Sequence, residues 1–249
     1  MSTHATASMR WTEKELDDLA VENHFRLRGL EVTRLDTFVD AAFAFVLTLL
    51  VISFDEIPSN YAEMLAAVKR IPGFAASFAV LMMFWLNHRR WSRRYGLENL
   101  KTILLSLTLI FVMLVYVYPL RMIFEGMFSN LSGGYLSTSY EIETYNELRM
   151  IFVFYSVGFL AMSIIVSQLY RVAMRSSTSL ALNPTELRKT KIEMNVWMLA
   201  ACFGLLSILL ALALPDAWVV AAGYIYFVLL FAMRLPGFLD RRRNAKADA

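Results

Sequence analysis

The residues with most chemistry to offer lie in one apolar stretch, RLDTFVDAAFAFVLTLLVISF, residues 34–54. Arg34, Asp36 and Asp40 stand at its start, and Thr48 stands deep in its middle. The stretch is long enough to cross a bilayer as a helix. On a helix, steps of four and three from Arg34 reach Phe38, Ala41, Phe45, Thr48 and Ile52, so these six residues share one stripe. Asp40 falls about 100° to one side of it, with Ala44 and Leu47. Two chemistries are open to Thr48. Its hydroxyl can bond the carbonyl of its own preceding turn, as threonines in membrane helices do. Alternatively, several copies of the stripe face one another. Rings of Phe45 and Ile52 then form apolar constrictions, with Thr48 hydroxyls between them as oxygen ligands for a dehydrating ion.

Asp40 is costly against lipid and calls for a partner. The next apolar segment, FAASFAVLMMFWLNHRRW, supplies candidates. Ser77, Leu81, Trp85 and His88 share a face by helical spacing, and Trp85 and His88 can donate hydrogen bonds. Read alone, His88 is an interfacial histidine beside a basic loop. The other histidines, His4 and His24, have no ligand spacing, so no metal site is expected.

Positioning these groups falls to the bilayer. The chain has 249 residues, of which 58% are hydrophobic and only 18% charged. Those charges cluster between long apolar runs, the pattern of an integral membrane protein. The net charge of +3 is explained by membrane topology and gives no reason to expect nucleic acid. The lone cysteine, Cys202, excludes an internal disulfide and reads as a small buried side chain. No cleavable signal peptide is expected from the first residues.

Six segments are apolar enough to span: about Asp36–Phe54, Ile71–His88, Thr102–Phe124, Met150–Tyr170, Val196–Leu214 and Ala217–Met233. Of the first five, the second is the shortest. The last two are joined by the tight turn PDAW, residues 215–218. Every second loop is basic: Arg89, Arg90, Arg93, Arg94 and Lys101 after the second span, then Arg171, Arg175, Arg188, Lys189 and Lys191, then the tail. The long loop that contains Glu125, Glu141, Glu143 and Glu147 is acidic. This alternation predicts an all-α integral membrane protein with six transmembrane helices per chain and both termini in the cytoplasm. The chain divides into a cytoplasmic N-terminal segment (1–33), a six-helix membrane domain (34–236) and a basic cytoplasmic tail (237–249). Residues Trp11–Gly29 read as a solvated or interfacial helix. Thr12 and Glu15 have the spacing of a capping box, and Leu16, Leu19, Leu27 and Leu30 form a weak apolar stripe.

The sequence also resembles a known family. Its signature is R-x-x-x-F-S-D followed by small and apolar residues and T-L-L. This chain has Arg34-x-x-x-Phe38-Val39-Asp40 and then AAFAFVLTLLV. The second span ends FWLNHRR, similar to the family's F-W-x-x-H element, and the third contains YPL. The chain is thus similar to prokaryotic members of the transmembrane-protein-175 potassium channel family. That resemblance implies a potassium or monovalent-cation channel in the cell (plasma or inner) membrane, without cofactors. Its first helix would line the central pore of a homotetramer, since no internal repeat supplies a second unit. The resemblance implies pore roles for Phe45, Thr48, Leu49 and Ile52. It also implies a structural network of Arg34, Phe38, Asp40, Trp85 and His88 at the end of the pore helix. Val39 stands where the signature has serine, and Phe45 is bulkier than the aliphatic residue expected.

Other classes leave weaker traces. A proton-coupled secondary transporter would show inverted repeats and helices broken at mid-membrane, whereas Pro119 and Gly158 are the main interruptions here. A non-conducting structural homologue is the other alternative, raised by Phe45. No motif suggests an enzyme. Ser156, Ser163, Ser167 and Ser207 read as bonds between helices or to their own backbone.

Overall fold

The computed structural model of the chain describes residues 11–52 and 58–233. His4, the residues around Phe54 and the tail 237–249 lie outside them. In order, the elements are α1 (Glu13–Asp17), β1 (Val21–Glu22), β2 (Phe25–Arg26), α2 (Arg34–Ile52), α3 (Tyr61–Lys69), α4 (Ile71–Tyr95), α5 (Leu100–Leu131), α6 (Tyr145–Arg175), α7 (Pro184–Ala213), a 3-10 turn (Asp216–Trp218) and α8 (Ala221–Ala232).

Helix starts follow their capping residues. Asn60, Asn99, Thr144 and Asn183 each accept the backbone N–H three residues on. The capping box on Thr12 and Glu15 forms as its spacing predicts. At the start of α2, Thr33 and Asp36 exchange the same pair of bonds: Asp36 N donates to Thr33 Oγ1 at 3.1 Å and Thr33 N to Asp36 Oδ2 at 3.3 Å.

Among the described residues, five stretches of helix are long and apolar enough to cross a membrane: Arg34–Ile52, Tyr61–Tyr95, Leu100–Leu131, Tyr145–Arg175 and Pro184–Ala213. The second is not the shortest, contrary to the expectation from its apolar core. It runs to Tyr95 because the arginines at its end extend the helix beyond the apolar part, and α3 precedes it across a break at Arg70 and Pro72. The sixth expected span is the short one. Its α8 has only 12 residues among those described, after the 3-10 turn at PDAW. Arg149 of α6 fixes that turn, donating to the Ala211 carbonyl at 2.6 Å and the Leu214 carbonyl at 3.1 Å and pairing with Asp216 at 2.8 Å.

Helices α6 and α7 pack along most of their length, α5 covers α6, and α4 and α2 lie on α5. Leu81, Phe84, Trp91, Met113, Tyr170 and Trp197 fill the shared core. Hydroxyls join the helices as well. Ser156 and Ser207 bond each other at 2.8 Å, Ser207 donates to the Ala222 carbonyl at 2.7 Å, and Ser167 donates to the Met194 carbonyl at 3.2 Å. Ser163 has no such partner among the described residues. Cys202 is exposed on the outer face of α7, not buried, because its position turns away from α6. Glu125 belongs to α5, not to a solvated loop. It is buried, paired with Arg121 at 2.7 Å, and accepts the N–H and hydroxyl of Ser139.

The N-terminal segment departs most from its expectation. Only Glu13–Asp17 is helical. A hairpin follows, pairing Val21 with Arg26 and Glu22 with Phe25 around Asn23 and His24, both at positive φ. Phe25 and Leu27 are buried, with Arg26 between them more exposed. This alternation is the period of a strand, so Leu27 does not join Leu16, Leu19 and Leu30 on a helical stripe. The hairpin docks through Arg28 and Glu186, whose side chains are 0% exposed. Arg28 Nη2 meets Glu186 Oε2 at 2.9 Å, Arg28 Nη1 meets Oε1 at 3.3 Å, and Arg28 Nε donates to the Leu180 carbonyl at 2.7 Å. Gly29 N then donates to the Arg93 carbonyl at 3.0 Å. A Cβ on Gly29 would stand 2.8 Å from Gly96 Cα, so the close approach of backbone to backbone requires glycine there.

Candidate functional site

Helix α2 presents two faces. Val39, Phe43, Val46 and Leu50 are buried against the bundle. Arg34, Phe38, Ala41, Phe45, Thr48 and Ile52, the stripe read from helical spacing, are all exposed. Phe45 is 56% exposed and Ile52 is 66% exposed. Leu49 lies on the flank, half-buried and packed on the core. Val39 is only 1% exposed, so the departure from the family signature falls on a residue that packs inward, where an apolar side chain gains from burial.

Thr48 Oγ1 donates to the Ala44 carbonyl at 2.9 Å, the first of the two chemistries open to it. The second is compatible with that bond. The hydroxyl hydrogen is committed to the backbone, and the oxygen keeps acceptor capacity on an exposed side.

At the N-terminal end, α2 is fastened to α4 by two carboxylates one turn apart. Asp40 Oδ1 accepts Trp85 Nε1–H at 2.8 Å, and Asp36 Oδ1 accepts the Ser92 hydroxyl at 2.6 Å. The helices run antiparallel there, so the next acid back along α2 meets a residue two turns on along α4. The Arg89 guanidinium lies 5.4 Å from the Trp85 ring, a cation–π contact on the same tryptophan. His88 does not reach Asp40. It is buried and bonds Ser106 of α5 at 2.8 Å, tying α4 to α5 instead. Phe38 is exposed, and Arg34 makes no hydrogen bond or ion pair among the described residues. Of the five residues expected to form one network, therefore, Asp40 and Trp85 bond each other and His88 anchors the same helix elsewhere. Asp36, Ser92 and Ser106 were missed. The signal for Asp36 was present, because it shares a helix face with Asp40 at a spacing of four. Both acids border a cavity of about 350 Å³ that Arg89 and Arg93 also line.

Long apolar helices packed through small and hydroxyl residues, with one amphipathic face left open, define a multi-pass helical membrane protein. The sequence model described as "Endosomal/lysosomal potassium channel TMEM175" matches residues 34–119, which include all of α2 and α4. A curated protein from Marivirga tractuosa called "Potassium channel" is 31% identical over 237 residues, covering 90% of this chain and 93% of that one. A crystal structure of a threonine-to-alanine variant of the potassium channel MtTMEM175, in complex with a Nanobody-MBP fusion protein, superposes with a TM-score of 0.77. That match has 28% sequence identity and covers 90% of this chain and 100% of the other. The chain belongs to the TMEM175 potassium channel family. Its relatives are channels, not enzymes.

Proposed function

We propose that the chain forms a potassium-permeable channel of the cell membrane, with four copies assembled so that their α2 helices surround one pore. The observation that carries this reading is the two-faced α2. Its apolar side is spent on the bundle, while Phe38, Phe45, Thr48 and Ile52 remain open along the other. A stripe of that length, exposed in the single chain, suits contact with copies of itself across an axis. Basic loops at alternate positions support six crossings with both termini in the cytoplasm, the apolar segment that contains α8 being the sixth. No cofactor has a role in this reading, and potassium is the permeant species.

Within such a pore the side chains have distinct work. Phe45 rings narrow it and expel water, so that conduction depends on whether the constriction wets. Thr48, its hydrogen held by Ala44, turns oxygen lone pairs toward a passing cation and replaces part of its hydration. Leu49 and Ile52 continue the wall. Asp36 and Asp40, bonded to α4, hold the helix at its entrance.

Reconstituted liposomes test this. Wild type is expected to give a potassium flux, and Phe45→Ala to raise it. Absence of flux from both proteins overturns the channel reading, and saturable exchange that depends on a co-substrate replaces it with transport.

A further inference from the structure

A cleft of about 570 Å³ opens between the β1–β2 hairpin, the end of α4 and the start of α7. Among the described residues, Arg89, Arg90, Arg93, Arg94 and Lys189 line it, against the acids Glu22 and Glu193. The acids do not neutralise it. Glu193 is shared by Arg90 and Arg94, at 3.6 Å from each. Lys189 donates to the Asn23 carbonyl of the hairpin turn, which holds its ammonium in place without cancelling its charge. Among the described residues, Arg89 and Arg93 have no carboxylate in ion-pair reach. Arg89 is instead steadied over Trp85, and Arg94 lies 4.9 Å from the Phe25 ring. Topology alone asks for basic residues near this end of a helix, but not that the arginines of α4 and Lys189 of α7 share one concavity, closed on a third side by the hairpin.

Converging guanidinium groups fixed by aromatic rings suit an oxyanion with several acceptor oxygens, a phosphate above all. Exposed Leu86 and half-buried Ile192 also line the cleft. Those two residues lie on the side of α4 and α7 that leads into their apolar stretches.

We infer that this cleft binds the phosphate headgroup of an anionic phospholipid, with the acyl chains leaving past Leu86 and Ile192. The assignment rests on the orientation proposed above, which puts the cleft at the cytoplasmic surface of the bilayer, where anionic lipid headgroups meet basic pockets between helices. The cleft is built partly from the hairpin that leads into α2, so an occupied cleft braces the hairpin, α4 and α7 together.

The test is lipid binding to the detergent-solubilised full chain by native mass spectrometry, a readout that needs no flux. Phosphatidylglycerol is expected to bind more tightly than phosphatidylcholine. Arg89→Gln/Arg93→Gln is expected to weaken it by roughly 25-fold, about fivefold for each charge removed. Arg171→Gln/Arg175→Gln, on basic residues outside the cleft, is expected to leave it unchanged. Thermal unfolding without lipid checks that the first variant is folded, as removal of two arginines without ion pairs should allow. Equal binding of the two lipids, or equal loss in both double variants, overturns the proposal. Binding of inorganic phosphate that phosphatidylglycerol does not displace also overturns it, since the site would then serve the free anion. Preserved lipid binding in a protein that gives no flux would overturn the channel reading and leave this one standing.

Discussion

The Trp85 indole N–H donates to Asp40 Oδ1 at 2.8 Å, joining a carboxylate on one side of the exposed stripe of α2 to the face of α4 beside it. Asp40 is therefore held as an anchor and is not directed along the stripe that carries Phe45 and Thr48. The same helix end has a second tie, Asp36 to Ser92, so its position does not hang on one bond.

The first prediction concerns that anchor. Trp85→Phe keeps most of the ring and removes the donor. Asp40→Asn keeps an acceptor oxygen and removes the charge. A double-mutant cycle on thermal stability with Trp85→Phe and Asp40→Leu is expected to give a coupling of about 1 kcal/mol, modest because Asp40 is partly open to solvent. Asp40→Asn should cost less than Asp40→Leu. A coupling of zero would show that the bond does not hold the helix.

Arg28 and Glu186 are predicted to behave as a buried pair. Arg28→Met leaves the Glu186 carboxylate without its main counter-ion and should destabilise by about 3–5 kcal/mol. Arg28→Met/Glu186→Gln should be more stable than Arg28→Met, since the neutral amide still accepts the Arg26 N–H that Glu186 Oε1 now accepts at 2.7 Å. Unfolding midpoints of the purified proteins decide the order, and a double variant weaker than the single would contradict it.

Close packing of α5 on α6 makes a third prediction. A Cβ on Gly158 would lie 2.9 Å from Tyr116 Cε2, and Tyr116 is buried. Gly158→Ala is expected to cost about 1–3 kcal/mol through overpacking, despite the gain in helix propensity. Tyr116→Leu in the same chain should recover part of the loss. Stabilisation by Gly158→Ala alone would show that the interface yields easily.

Thr48 separates shape from chemistry. Thr48→Ser keeps the hydroxyl that bonds Ala44, and Thr48→Val keeps the shape without the oxygen. In flux assays the potassium-to-sodium ratio is expected to survive in Thr48→Ser. It should fall about fivefold in Thr48→Val, the equivalent of one lost interaction of about 1 kcal/mol. Equal ratios in the two variants would remove Thr48 from ion recognition.

Much of this was legible in the linear chain, because a bilayer imposes simple rules. Apolar length marks helices, and a 3.6-residue period assigns faces. The stripe from Arg34 to Ile52 and the capping box at Thr12 follow from local spacing, which a helix preserves, and the same spacing offered Trp85 as one of two donors for Asp40. Family membership was legible for the same reason, since its signature lies within one helix and the end of another.

Tertiary structure decided what spacing cannot reach. His88 offers two nitrogens, and only the packing of α4 on α5 selects Ser106 over Asp40. The segment before α2 has charges and leucines that suit a helix. It folds as a hairpin because burying Phe25 and Leu27, with Arg28 locked to Glu186 some 158 positions away, outweighs weak local preference. The basic residues of two separate loops were visible as topology signals. Their convergence on one cleft was not, because it depends on how α4, α7 and the hairpin meet.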